Sequence, residues 1–335
     1  MNMMKAIQVV QLGGPELLHY GDVPRPTPAA NEVLIQIEAA SVNYADTMQR
    51  RGIYPGGPQP PYIPGLEVAG RVVELGASVS NVEVGQPVMT LTGRGGYAQF
   101  VSVPASMLMP VPEDFSMEQA AAFPIVFLTA FFALKRYGRL QAGESVLIQA
   151  AGGGVGTAAV QLAKHMGARV FACAGSDEKL ERVRALGADE IINYRTNDFA
   201  DVVKHLTGGR GVDLVLETVG GNVFEKSMTI LAPFGRLVTY GAAGGQLGSV
   251  NSRTLIMNNA TVTGVNLNLI ARTPELGPAM CELLGMIRGT SIRPIIGHTF
   301  ALDQAADAHR LIESRESFGK IVLRVSQSPE SPIQH

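Results

Sequence analysis

The spacing of hydrophobic residues gives this chain of 335 residues two textures. Up to about residue 125, short alternating runs such as Glu32–Glu38 (EVLIQIE) and Val68–Leu75 (VAGRVVEL) are bounded by turn residues, which predicts brief strands in a mostly-β domain. The opening MNMMKAIQVVQLGG lacks the long apolar stretch of a secretory signal and reads as the first strand. Apolar residues recur at helical spacing over Met117–Tyr137, and strand and helix signals then alternate. Strands are predicted at Ser145–Ala150, Arg169–Ala174, Ile191–Tyr194, Val212–Thr218, Leu237–Tyr240 and Val262–Val265. Between them, Val155, Ala159, Leu162, Ala163 and Met166 share one helix face, as do Phe199, Val202, Val203 and Leu206, and again Phe224, Met228 and Leu231. Asp177–Leu186 is a further helix, and Gly167 and Gly187 are placed as helix stops. Such alternation implies parallel βαβ units in a doubly wound sheet. A helix near Leu276–Arg288, a strand Lys320–Val325 and a polar tail expected to fray complete the pattern. The simplest arrangement is an α/β domain, 126–267, inserted into a discontinuous mostly-β domain, 1–125 and 268–335, with a cleft between them.

Composition changes this picture little. Hydrophobic residues make up 46% and charged residues 17%, which suits a packed core rather than a disordered chain. A formal net charge of -2 with no basic stripe argues against nucleic acid, and no apolar run is long enough to span a membrane. The two cysteines, Cys173 and Cys281, have apolar or small neighbours and no CxxC pairing, so they read as buried free thiols in a reducing cytoplasm. His19, His165, His205, His298, His309 and His335 are scattered without metal-ligand spacing, and no metal is expected.

The first strand of the alternating region runs into Ala151-Gly152-Gly153-Gly154-Val155-Gly156, an AxGxxG form of the dinucleotide fingerprint. Small residues permit the tight turn and close approach of the backbone to a pyrophosphate, and the free N–H groups of the following helix, with its partial positive charge, meet the phosphates. Gly153, Gly154 and Val155 are therefore candidate cofactor contacts. An NAD-preferring site places a carboxylate at the end of the second strand, where this chain reads Ala174-Gly175-Ser176. Lys179 lies three residues on and could reach a 2′-phosphate, with Ser176 as a second contact, which points to NADPH. The bland alternative makes Ser176 a helix N-cap and Lys179 a solvated lysine. Asp177 and Glu178 fit as first-turn acids.

Further motifs are Ser41–Thr47 (SVNYADT), Gly65–Gly70 (GLEVAG), Ile192–Arg195 (INYR) and Phe318–Leu323 (FGKIVL). With the fingerprint they span nearly the whole chain, and together they resemble the zinc-free quinone oxidoreductases (zeta-crystallin-like) of the medium-chain dehydrogenase/reductase superfamily. The resemblance implies a GroES-like catalytic domain beside a Rossmann domain, and a homodimer. It sets Asn43 and Asp46 beside the nicotinamide, Thr129 on the cofactor, Tyr194 near the 2′-phosphate, and Gly241, Ala242, Ala243 and Lys320 around the nicotinamide. Tyr54, in the loop GIYPGGPQPP, matches a loop tyrosine that is the proposed proton donor of related enoyl thioester reductases. Read without the family, Asn43 and Asp46 are also caps of a short helix, Tyr54 an ordinary loop aromatic, and Tyr194 and Lys320 surface residues.

Zinc-bearing alcohol dehydrogenases of the same superfamily carry a histidine in a GHE motif where this chain has Leu66, and a ligand cysteine where it reads Ala40-Ser41-Val42-Asn43. Hydride addition to a simple ketone builds a strongly basic alkoxide that needs a Lewis acid. A quinone gives a weakly basic hydroquinone anion, and an enone or enoyl thioester an enolate, which hydrogen bonds alone can stabilise. The expected activity is thus hydride transfer from NADPH to a small-molecule quinone. The alternatives are reduction of an enone or enoyl thioester, and an NADPH-binding, crystallin-like protein without turnover.

Overall fold

The structure, a computed structural model, describes residues 2–325, so the polar tail expected to fray lies outside the described residues. One compact unit runs to Ile125 and resumes at Ile296; the other is Val126–Ile295. The first unit begins with a β1 (Met3–Val9)–β2 (Leu18–Pro24) hairpin, followed by β3 (Glu32–Val42), α1 (Tyr44–Arg50), β4 (Glu67–Leu75), β5 (Pro87–Leu91), β6 (Phe100–Pro104), β7 (Leu108–Pro110) and α2 (Met117–Ala121). Here β3 is central, antiparallel to β4 and β6, and its Val33, Ile35 and Ile37 enter the core with Val68, Val72, Val101 and Val103. The alternating period seen in the sequence is the physical cause, because successive strand residues face opposite ways.

The segment Met117–Tyr137, apolar at helical spacing, forms α2, a break, α3 (Pro124–Phe131) and a π-helical turn at Phe132–Tyr137. Pro124 has no N–H for the preceding turn, so it starts a new helix instead of continuing the old one.

The second unit alternates β8 (Ser145–Ile148), α4 (Gly154–His165), β9 (Arg169–Ala174), α5 (Asp177–Ala185), β10 (Glu190–Asn193), α6 (Phe199–Leu206), β11 (Val212–Glu217), α7 (Gly221–Met228), β12 (Leu231–Thr239), α8 (Ser252–Asn258) and β13 (Thr261–Gly264), then α9 (Leu267–Ile270) and α10 (Leu276–Ile287). Among the described residues its sheet is six-stranded and all parallel, in the order β10-β9-β8-β11-β12-β13. This is the doubly wound order, with its switch point between β8 and β11, and ligands of such sheets lie outside the carboxyl ends of those strands.

The first unit resumes with β14 (Ile296–Ala301), α11 (Ala305–Glu313) and β15 (Lys320–Arg324), and β15 pairs antiparallel with β3. The return was expected at residue 268, but the compact units divide at Ile295/Ile296. The intervening segment is tied to the second unit: Glu282 pairs with Lys135 (2.5 Å) and Arg136 (2.6 Å), and Gln161 exchanges hydrogen bonds with the Arg293 backbone at 3.1 and 3.2 Å. Cys173 is buried in β9 as expected, whereas Cys281 is exposed. It lies off the stripe of Leu276, Ala279, Met280, Leu283 and Ile287 that α10 buries. No helix among the described residues is long and apolar enough to cross a membrane.

Candidate active site

Strand register assembles the polar cluster of the first unit. Ala40 lies opposite Val68 and Val42 opposite Ile321, so Glu67 and Lys320 flank the end of β3, where Ser41, Val42 and Asn43 follow one another. Glu67 is wholly buried; its Oε1 accepts from Ser41 Oγ (2.9 Å), Asn43 Nδ2 (3.0 Å) and Lys320 Nζ (3.0 Å), and its Oε2 from Ile125 N (2.7 Å). Lys320, 4% exposed, also donates to Val42 O (3.1 Å) and Asn43 Oδ1 (2.7 Å), so its three ammonium donors have three partners. The Asn43 amide is thereby held at both ends.

Asn43 precedes α1, and Asp46 reaches back to its N–H at 2.8 Å, the acidic half of a capping box. The Asn43 side chain does not cap the helix but is spent on Lys320 and Glu67. Asp46 Oδ2 accepts from Tyr97 Oη as well (3.2 Å), while Oδ1 is buried without a partner. Burial pushes the Asp46 carboxyl up to about 7, against the pull of the Asn43 N–H, the Lys320 charge and the Tyr97 hydroxyl. Tyr62, buried with no partner for its hydroxyl, is pushed up to about 12 by burial and by the Asp46 charge. Tyr54 sits half-buried in a turn whose Gly57 N–H donates to Tyr54 O at 2.9 Å.

In the second unit the chain leaves β8 through Ala150, which holds a left-handed φ of 50°, and turns at Gly153 N–H to Ala150 O (2.9 Å) into α4. A Cβ on Gly156 would lie 2.4 Å from Ala150 O and 2.6 Å from Ala151 Cα, so only glycine lets this helix pack so closely on its strand. No side chain caps α4 at Gly153, which leaves first-turn N–H groups of a 12-residue helix to donate to an anion. At the end of β9, Ser176 Oγ caps α5 by accepting from Lys179 N (3.3 Å). Asp177 is tied to Asn193 (2.7 Å). A Cβ on Gly175 would lie 2.5 Å from Tyr194 Oη and 3.3 Å from Arg195 Nε, so both side chains reach over the same strand end. Beyond β12, Ala243 N–H donates to Thr218 O (2.8 Å), which seats Gly241, Ala242 and Ala243 over the end of β11. Thr129 is buried on α3.

Residues 29–113 match the family model of the alcohol dehydrogenase GroES-like domain and residues 154–282 that of the zinc-binding dehydrogenases. The quinone oxidoreductase of Sus scrofa is 36% identical over 324 residues, covering 96% of this chain and 98% of that protein. This chain belongs to the quinone oxidoreductase family of the medium-chain dehydrogenases/reductases. The crystal structure of Escherichia coli quinone oxidoreductase complexed with NADPH superposes with a TM-score of 0.89 at 32% identity, covering 96% of this chain and 99% of that one. A phenolphthiocerol/phthiocerol polyketide synthase subunit of Mycobacterium tuberculosis is 34% identical over 323 residues, 96% of this chain, and the chain spans 15% of that protein's length. Although one model describes zinc-binding dehydrogenases, among the described residues no three His, Cys, Asp and Glu side chains form a group that could hold a metal.

Within this quinone oxidoreductase family chain, the fold joins Asn43, Asp46 and Lys320 in one network. It sets Gly153, Gly154 and Val155 at one helix start and Ser176, Lys179 and Tyr194 around the ends of two adjacent strands. Sequence reasoning left Glu67 without a role and missed Ser41, Tyr97, His309 and Arg195. For Glu67 the signal was an acidic side chain opening the strand EVAGRVVEL, directly before the apolar Val68-Ala69-Gly70, with a lysine beginning another strand. Arg195 was visible in INYR, beside Tyr194.

Proposed function

We propose that this oxidoreductase transfers hydride from NADPH to a quinone without a metal ion. The observation that carries the reading is the network at the end of β3. Where zinc-bearing relatives would present ligands, this chain presents Ser41, Asn43 and a buried Leu66, and its nearby carboxylate, Glu67, is already neutralised by Lys320. Fixed hydrogen-bond donors suit an acceptor whose reduced form is a weak base. NADPH supplies the hydride. Asn43 and Asp46 are the proposed polar groups at the acceptor, and Tyr54 a proposed proton donor. The uncapped start of α4, with Gly153, Gly154 and Val155, would receive the pyrophosphate. Ser176, Lys179, Tyr194 and Arg195 would receive the 2′-phosphate, and Thr129 with Gly241, Ala242 and Ala243 the nicotinamide end. In this reading Lys320 acts by fixing the Asn43 amide.

A second copy of the chain is the proposed partner. β13 is an edge strand, and Phe234, Leu247, Ile256, Met257 and Leu269, on either side of it in sequence, are 62–86% exposed, a density of bare apolar side chains that suits an interface. A second reading of the activity, reduction of an enone or enoyl thioester, is favoured by the likeness to a polyketide synthase subunit.

Steady-state NADPH oxidation with a chelator present tests these readings, using a quinone panel beside a short enoyl thioester. Turnover with quinones and little with the thioester is expected. The reverse result moves the chain to the second reading, and no turnover with either sinks both.

A further inference from the structure

Behind Asp46 lies a chain of buried groups that the proposed reaction does not use. Arg50 of α1, 1% exposed, donates from Nε to Gly13 O (3.1 Å) and from Nη2 to Glu313 Oε1 (2.5 Å). Its Nη1 lies 3.4 Å from Nδ1 of His309 on α11. A guanidinium only donates, so Nδ1 accepts. Burial and the Arg50 charge push His309 down to about 3, so the ring is neutral and its single proton sits on Nε2. Nε2 is 3.2 Å from Tyr97 Oη, with the two rings edge to face at 84°. Having accepted that hydrogen bond, the Tyr97 hydroxyl has its own proton to donate to Asp46 Oδ2. Every bond therefore points the same way, from Arg50 through His309 and Tyr97 to Asp46. Because the chain starts on a guanidinium, which keeps its protons, it does not carry protons in from solvent. Its consequence is orientation.

We propose that His309, held as its Nε2–H tautomer by Arg50, is a positioning residue that acts through Tyr97 to hold the Asp46 carboxyl group against Asn43. The kinetic part of its test rests on the activity proposed above; the tautomer does not. The groups that bear on Asp46 are Lys320 from β15, Glu67 from β4, Asn43 at the start of its own helix, and Tyr97 and Tyr62 from loops, with Arg50 and His309 behind them.

The full chain labelled with ring-15N histidine, with His309 assigned by its loss in His309→Gln, shows the tautomer by long-range proton–nitrogen correlation. A neutral Nε2–H ring unchanged from about pH 5 to 8 is expected; an Nδ1–H ring, or a midpoint near the ordinary value of about 6.5, overturns the proposal. In NADPH–quinone turnover, Tyr97→Phe and His309→Leu should lower kcat about tenfold or more with the KM for NADPH unchanged. Loss of the Tyr97 donor raises the Asp46 pKa, so the limb of the pH profile that reports Asp46 should move to higher pH. His309→Gln, which offers an amide N–H where Nε2 stood, should restore that limb. A limb unmoved in His309→Leu, whatever its loss of thermal stability, overturns the proposal. A chain that reduces no acceptor removes the proposed function and leaves the tautomer measurement to decide this one.

Discussion

Lys320 and Glu67 are separated by 253 positions in sequence and 3.0 Å in space, and both are almost wholly excluded from solvent. A buried carboxylate whose counter-charge is removed keeps its desolvation cost, on the order of 3–5 kcal/mol, whereas removing both charges together is close to neutral. Lys320→Met should therefore destabilise the chain strongly, and adding Glu67→Gln should recover much of the loss, as read by denaturant midpoints. Additive losses would mean that the pair carries no such coupling. At this scale the sequence singled out Asn43, Asp46 and Lys320 but neither the remaining members of their cluster nor how they pair. Asn43 and Asp46 were legible because they stand three positions apart at a helix start. Glu67, Tyr97 and His309 were not, because strand register and the packing of α11 bring them together, and neither is written in local spacing.

Elements were legible where period and punctuation agreed. Most strands and helices of the second unit fall within a few residues of expectation; the exceptions include α8, which was not expected and buries no residue, and β12, which begins six positions early at Leu231, a residue read onto the preceding helix face. Two departures have local causes: Pro124 splits an apparently continuous apolar helix, and Ala150 leaves the strand that was read through it by taking a positive φ. The start of α5 joins element to function. Ser176 is both the observed cap and a proposed phosphate contact, and aspartate caps a helix as well as serine does. Ser176→Asp with Lys179→Ala should keep the helix, leaving the melting temperature within a few degrees, while placing a negative charge against a 2′-phosphate. The ratio of kcat/KM for NADPH over NADH should fall at least tenfold, about 1.4 kcal/mol. An unchanged ratio would remove these residues from the phosphate site.

In the whole molecule, the second unit is one uninterrupted stretch and the first is not. The point of return was misjudged because α9 and α10 follow the last strand of the parallel sheet, and a helical pattern alone does not say which core it faces. Continuity predicts different behaviour for the two parts. A fragment of residues 126–295 contains all six strands of its sheet and should melt cooperatively, with a midpoint that rises when NADPH is added. A fragment of residues 1–125 lacks the β15 partner of β3 and the lysine that neutralises Glu67, and should show no cooperative transition in calorimetry. Cooperative melting of the shorter piece would contradict the weight given to that strand.

The same discontinuity acts during synthesis. A ribosome completes the six-stranded sheet while β3 still waits for its neighbour, so an early-made strand edge and an uncompensated carboxylate persist until residues 320–324 emerge from the exit tunnel. A nascent chain stalled shortly before Lys320 would carry a complete six-stranded parallel sheet and a first unit in which β3 and Glu67 both still lack their last partner.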